Sequence, residues 1–213
     1  MKSWQLIFKL QPHGINDGTL KEYLKQFRFY LGLTGAAAIS RRYFVMNAFD
    51  GALTALGVII GAWSSGPIQP RIIIGAGLGM SLAMGISGFS GAYLAERAER
   101  LRRLRELERS LLFDLGKSIH GKAFKTVILW AAVVDALSPA LTSIASISPF
   151  VMASRGLISV DQAAILSIAI VLVILFSLGA FTGRVSKERI LLSGVRMLLV
   201  GVITASIVFL LAR

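Results

Sequence analysis

Residues 41–63 read RRYFVMNAFDGALTALGVIIGAW, and this stretch decides what kind of molecule the chain is. From Tyr43 to Trp63 it is almost unbroken apolar sequence, long enough at about twenty residues to cross a bilayer as a helix. The one charge in that run is Asp50, followed at once by Gly51. A carboxylate at such a depth costs about 3 kcal/mol on insertion scales unless it faces protein, water or a cation. Asp50 therefore reads either as a site on a transport pathway or as a structural carboxylate satisfied by a neighbouring helix.

The rest of the composition agrees with a membrane setting. Of 213 residues, 55% are hydrophobic and 16% are charged, and the mean hydropathy is +0.72. Soluble domains carry about 25% charged residues, so the chain is read as an integral membrane protein. It has no cysteine, which removes disulfides and thiolate metal sites. His13 and His120 are its two histidines, too few for a three-histidine zinc centre. The net charge of +12 would suggest a nucleic-acid partner in a soluble protein. Here the bases are better explained by membrane topology, and no nucleic-acid partner is expected.

Four further apolar stretches follow the first. Ile72–Ala95 carries no charge and is rich in glycine. Thr126–Ser154 is interrupted by Asp135, Pro139 and Pro149, and Gln162–Gly183 is again without charge. Ile190–Ala212 closes the chain, with Arg196 near its beginning. The expected fold is an all-α membrane protein of five transmembrane helices. Twenty of the 23 Lys and Arg residues fall on one side of these spans, and only Arg71, Arg155 and Arg213 fall on the other. The positive-inside rule then puts the N-terminus in the cytosol and the C-terminus outside.

The expected organisation has four parts. Residues 1–40 form a cytosolic or interfacial segment, in which Leu20, Tyr23, Leu24, Phe27 and Leu31 share one helical face and Lys21, Lys25 and Arg28 the other. Such a helix lies along the membrane surface or packs on the protein's own cytosolic side. Residues 41–95 hold the first two spans, and 126–213 the last three. Between them, 96–125 is a short charged region that continues the second span as a helix. Its pairs Glu96–Arg100 and Glu99–Arg103 are spaced for attraction, and Leu101, Leu104, Leu107 and Leu111 form an apolar stripe. Its four glutamates, Glu96, Glu99, Glu106 and Glu108, could hold a divalent cation through oxygen, or could belong to a solvated face.

Smaller features point to packing and to ligands. Gly57 and Gly61 in the first span, and Gly75 and Gly79 in the second, have the four-residue spacing that lets helix backbones approach in lipid. They predict a close pair of spans, with a dimer seam as the further reading. Met80 and Met84 lie one turn apart, as gap-fillers or as soft ligands facing Asp50. Asp135 stands next to carbonyls that Pro139 would free, which makes it a candidate cation or proton site or else a capped kink. Met46 is a further candidate on the pathway.

Taken in order, these pieces resemble the vacuolar iron transporter family. The resemblance covers residues 41–213 and is carried by Asn47-Ala48-Phe49-Asp50-Gly51, Gly91-Ala92-Tyr93-Leu94-Ala95-Glu96 and Ser148-Pro149-Phe150. The closing stretch LGAFTGRVSKERILLSGVRMLLVGVITASIVF is also similar. The resemblance implies a homodimer with its pathway between the protomers, lined by the first two spans. It implies export of Fe²⁺ or Mn²⁺ from the cytosol in exchange for protons, with these ions as cargo and no permanently bound cofactor. The family's pathway aspartate maps onto Asp50. Its second-span carboxylate and methionine have no clean counterpart, and Gly88 stands where plant members carry the methionine. The family's large glutamate-rich cytosolic helices shrink here to about thirty residues without methionine.

The expectation is a dimeric, proton-coupled transporter and not an enzyme, since no nucleophile–base pair or metal triad is present. Asp50 would be the intramembrane ligand and proton carrier, Met80 and Met84 soft ligands, and Glu96 and Glu99 the cytosolic mouth. Oxygen with thioether suits Fe²⁺ or Mn²⁺ better than Mg²⁺ or Ca²⁺. The rival expectation is a non-transporting membrane scaffold that kept the fold. The short loops and Arg-rich style point to a prokaryotic plasma membrane.

Overall fold

A computed structural model describes residues 20–67, 69–112 and 119–212. Those residues form six helices: α1 (Leu20–Leu33), α2 (Ala36–Ser64), α3 (Pro70–Leu111), α4 (Ile119–Ser154), α5 (Val160–Ser186) and α6 (Ile190–Leu211). Five of them, α2 to α6, are long and apolar enough to cross a membrane. The protein is thus all-α with five membrane-spanning helices. The first nineteen residues, including the N-terminal part of the expected amphipathic segment and His13, lie outside the described residues.

The breaks between helices follow local chemistry. Gly35 separates α1 from α2 with φ 65°, and Gly66 and Gly156 take positive φ in the turns before α3 and α5. Pro70 opens α3 at its first position, where its missing N–H costs nothing. Ser159 and Gln162 cap α5 reciprocally, each side chain bonding the other's backbone N–H. Trp63 Nε1 donates to Asp161 Oδ1 at 3.1 Å, tying the end of α2 to the start of α5.

α4 is the hub, packing against α2, α3 and α5. Pro139 and Pro149 both lie inside it without ending it. Its buried face is lined by Asp135, Ser138, Ser143, Ser146, Ile147 and Phe150. α2 crosses α4 at Gly51, where an added Cβ would stand 2.6 Å from the Pro139 carbonyl oxygen and 2.7 Å from its Cα. Ser143 Oγ donates to the Gly51 carbonyl at 3.3 Å across this crossing. Gly51→Ala should therefore cost about 1–3 kcal/mol through overpacking against backbone that cannot yield. Gly91→Ala, which meets nothing within 4 Å, should leave the melting temperature unchanged or raise it. Thermal unfolding in mild detergent compares the two; equal melting temperatures would contradict this crossing.

The glycines of the second span divide between two faces. Gly77, Gly85 and Gly88 turn toward α4, with Ile147, the Ala136 carbonyl and Asp135 as their neighbours. Gly75, Gly79 and Gly91 meet nothing within 4 Å. The expected close pair of Gly57 and Gly61 with Gly75 and Gly79 is not formed inside the chain. Gly57 is likewise open, and Gly61 touches only Val208, at 3.8 Å. The reason is that α3 spends its small residues on α4 rather than on α2.

The second span does continue as one helix into the charged region, through Leu111. The i,i+4 pairs there form: Glu96 with Arg100 at 3.3 Å, Glu99 with Arg103 at 2.8 Å and Glu106 with Arg102 at 3.0 Å. Leu101 and Leu107 on its apolar stripe remain exposed. α1 sits against the bundle, with Phe27 edge-on to Trp130 of α4 at 5.3 Å, while Lys25 and Arg28 stay exposed.

Candidate functional site

Asp50 lies midway along α2, fourteen residues from either end. Spacings of four, four and three put Met46, Asp50, Thr54 and Gly57 on one face of that helix. Met46, Asp50 and Thr54 are exposed on the surface of the single chain, and Gly57 is open. The Thr54 hydroxyl donates to the Asp50 backbone carbonyl at 2.7 Å. Among the described residues, no hydrogen bond or ion pair reaches the Asp50 carboxylate. A thioether, a carboxylate and a hydroxyl thus form a short outward-facing ladder at mid-span. Among the described residues, nothing in the interior compensates that charge.

Behind this face is a second carboxylate. Asp135 on α4 is 6% exposed, and its Oδ1 accepts a hydrogen bond from Asn47 Nδ2 on α2. The same amide donates its other proton to the Tyr43 carbonyl at 3.0 Å. On the far side, α3 offers Gly88, where a Cβ would lie 2.9 Å from Asp135 Oδ2 and 3.3 Å from its carbonyl oxygen. Asp50 and Asp135 are within electrostatic reach of each other. Three helices thus converge on Asp135, and Gly88 is what admits it.

Glu96 and Glu99 are placed differently from each other. Glu96 is 7% exposed, and both its oxygens are engaged. Oε2 accepts from Arg100 Nε at 3.3 Å, and Oε1 accepts from the Tyr43 hydroxyl at 3.2 Å. Arg100, 3% exposed, also lies over the Phe124 ring at 5.4 Å. This cluster clasps α2, α3 and α4 at one end of the bundle. Glu99 is exposed and paired with Arg103. Met80 and Met84 are half-buried on the flank of α3. Among the described residues, no three His, Cys, Asp or Glu side chains gather as a ready-made metal cage.

Several of these partners carry no distinctive mark in the sequence. Asn47 stands one turn before Asp50, which hinted at a shared neighbourhood but not at its bond to Asp135. Gly88 registered only as a missing methionine, and Tyr43 only as the beginning of an apolar run.

Comparison with known proteins adds two findings. A family model described as the VIT family matches residues 111–213. The match takes in α4 to α6, whereas Asp50, Met80, Met84 and Glu96 lie outside it. An uncharacterized protein of the archaeon Methanocaldococcus jannaschii is 36% identical over 176 residues, covering 81% of this chain and 88% of its own length.

Proposed function

Because the chain belongs to the VIT family, a family of transporters rather than enzymes, we propose that it exports Fe²⁺ or Mn²⁺ from the cytosol in exchange for protons. The observation that carries this reading is Asp50, a carboxylate within the first span, unpaired among the described residues and on the chain's outer surface. Hydrocarbon is a costly neighbour for that group, so the face must meet water, a cation or a second protein surface. A homodimer packed on α2 supplies the second protein surface and a shared cleft that water and a cation can enter. The open glycines at 57, 75 and 79 offer backbone to a second copy at close range.

In this arrangement Asp50 supplies the charge that replaces the cation's lost water, and Met46 supplies a thioether one turn away. Met80 and Met84 stand as further soft ligands on α3. Glu99 serves as an attracting mouth, whereas Glu96 holds the helix ends together through Arg100 and Tyr43. The basic end of the bundle faces the cytosol of a prokaryotic plasma membrane, and the C-terminus lies outside.

The test is flux into proteoliposomes of the purified protein under an imposed pH gradient, with Mn²⁺ and Fe²⁺ as separate substrates. Uptake of either ion above that of empty vesicles, stimulated by the gradient, is expected. No flux of either would favour a scaffold that keeps the fold. Reporter fusions should place Arg103 and Arg213 on opposite sides; the same side for both would overturn the topology.

A further inference from the structure

Asp135 is a buried titratable group to which the transport reading above gives no task. Its burial is specific. Asn47 holds Oδ1, while Oδ2 points toward Gly88 and takes no hydrogen bond among the described residues. Pro139, four residues on, has no N–H to give to the Asp135 carbonyl. Gly88 leaves both that carbonyl and Oδ2 uncovered by any side chain of its own. An apolar side chain here would pack more cheaply, so the site is built around a group able to carry either a charge or a proton.

The charged surroundings are few. On α2 the ionisable group within reach is Asp50. On α3, Glu96 lies two turns beyond Gly88 and is engaged by Arg100 and Tyr43. The spanning part of α5, residues 162–183, has no charged residue. On α1, Lys25 and Arg28 point to solvent, and Phe27 makes the contact with α4 at Trp130.

We infer that Asp135 carries the coupling proton of transport, held inside the protomer behind the metal-facing carboxylate of Asp50. This deepens the transport reading above and rests on it. A divalent cation on Asp50 alone leaves one excess positive charge in the membrane. Ionised Asp135, within electrostatic reach, cancels that excess, so the occupied site is neutral. When the cation leaves, Asp135 takes a proton on Oδ2 and avoids standing as a bare charge in the interior. Cation at one residue and proton at the other exclude each other by charge, without sharing a ligand. No bond other than O–H forms or breaks.

The test reconstitutes wild type and Asp135→Asn into vesicles, with Mn²⁺ as substrate and a trapped pH dye. Asp135→Asn keeps the shape and the contact with Asn47. Because it fixes the neutral state that opposes the cation, it is expected to pass Mn²⁺ down its own gradient more weakly than wild type, and the flux that remains should lose stimulation by a pH gradient and move no protons with the metal. Retained pH stimulation or metal-driven proton flow would overturn the assignment. Asn47→Ala guards against misfolding of the first variant. By removing the carboxylate's one donor, it should move the pH of half-maximal flux, and an unmoved midpoint would equally overturn the assignment. A wild type that carries no Mn²⁺ under any gradient defeats the transport reading itself. A coupled wild type with a coupled Asp135→Asn defeats only the role of Asp135.

Discussion

Vesicles carrying Asp50→Asn are expected to lose metal flux by more than about tenfold, whichever gradient drives it. Asparagine keeps the size and one oxygen but removes the charge that offsets a divalent cation's dehydration. Removing one member of a desolvated charge pair costs about 2–5 kcal/mol, and each 1.4 kcal/mol is about a factor of ten. Because the carboxylate has no partner among the described residues, its loss should leave folding intact or slightly improved. Asp50→Asn therefore separates from Asp135→Asn: the first stops the cation under every gradient, and the second leaves a weaker flux that carries no protons. Met84→Ala should weaken flux far less, since a neutral thioether contributes less than a charge. Flux of Asp50→Asn equal to wild type would make Asp50 structural and move the pathway elsewhere.

The largest effect on stability is expected at the other polar cluster. Arg100→Met leaves Glu96 buried beside Tyr43 without its cation, and breaking a buried pair from one side costs about 3–5 kcal/mol. The double variant Glu96→Met with Arg100→Met should recover most of that loss, because two well-packed apolar chains replace the pair. Arg103→Met, on the exposed partner of Glu99, should change stability by less than about 1 kcal/mol. Unfolding in detergent, followed by helical signal, ranks the three. If Arg100→Met melts with wild type, the clasp does not hold the helices together.

Much of this architecture is readable from composition. The spans announce themselves because hydrocarbon tolerates only long apolar helices, and Asp50 stands out for the same reason. Periodicity also foresaw the Glu96–Arg100 and Glu99–Arg103 pairs, since both partners lie on one helix. It failed wherever partners come from different helices. Four-residue spacing puts Gly75 with Gly79, and Gly77 with Ser81, on common faces, but it does not say which face looks inward. The same limit hid Asn47 beneath Asp135 and Tyr43 against Glu96. It also made Glu96 look like an open ligand, when both its oxygens are already taken. Membrane helices weaken the usual clue, because outward and inward faces are equally apolar.

The length of α3 has a mechanical consequence. At about 1.5 Å per residue, its 42 residues form a rod of roughly 60 Å, about twice the hydrocarbon thickness. From Arg71 to Leu111 it contains no proline and no left-handed residue that would act as a hinge. Its tightest seats, Gly77, Gly85 and Gly88, lie in the half nearer Pro70. The rod therefore runs unbroken from its membrane part, through residue 95, into the charged part beyond it. No hinge residue stands between the charged Glu99–Arg109 end and Gly88, the seat beside Asp135.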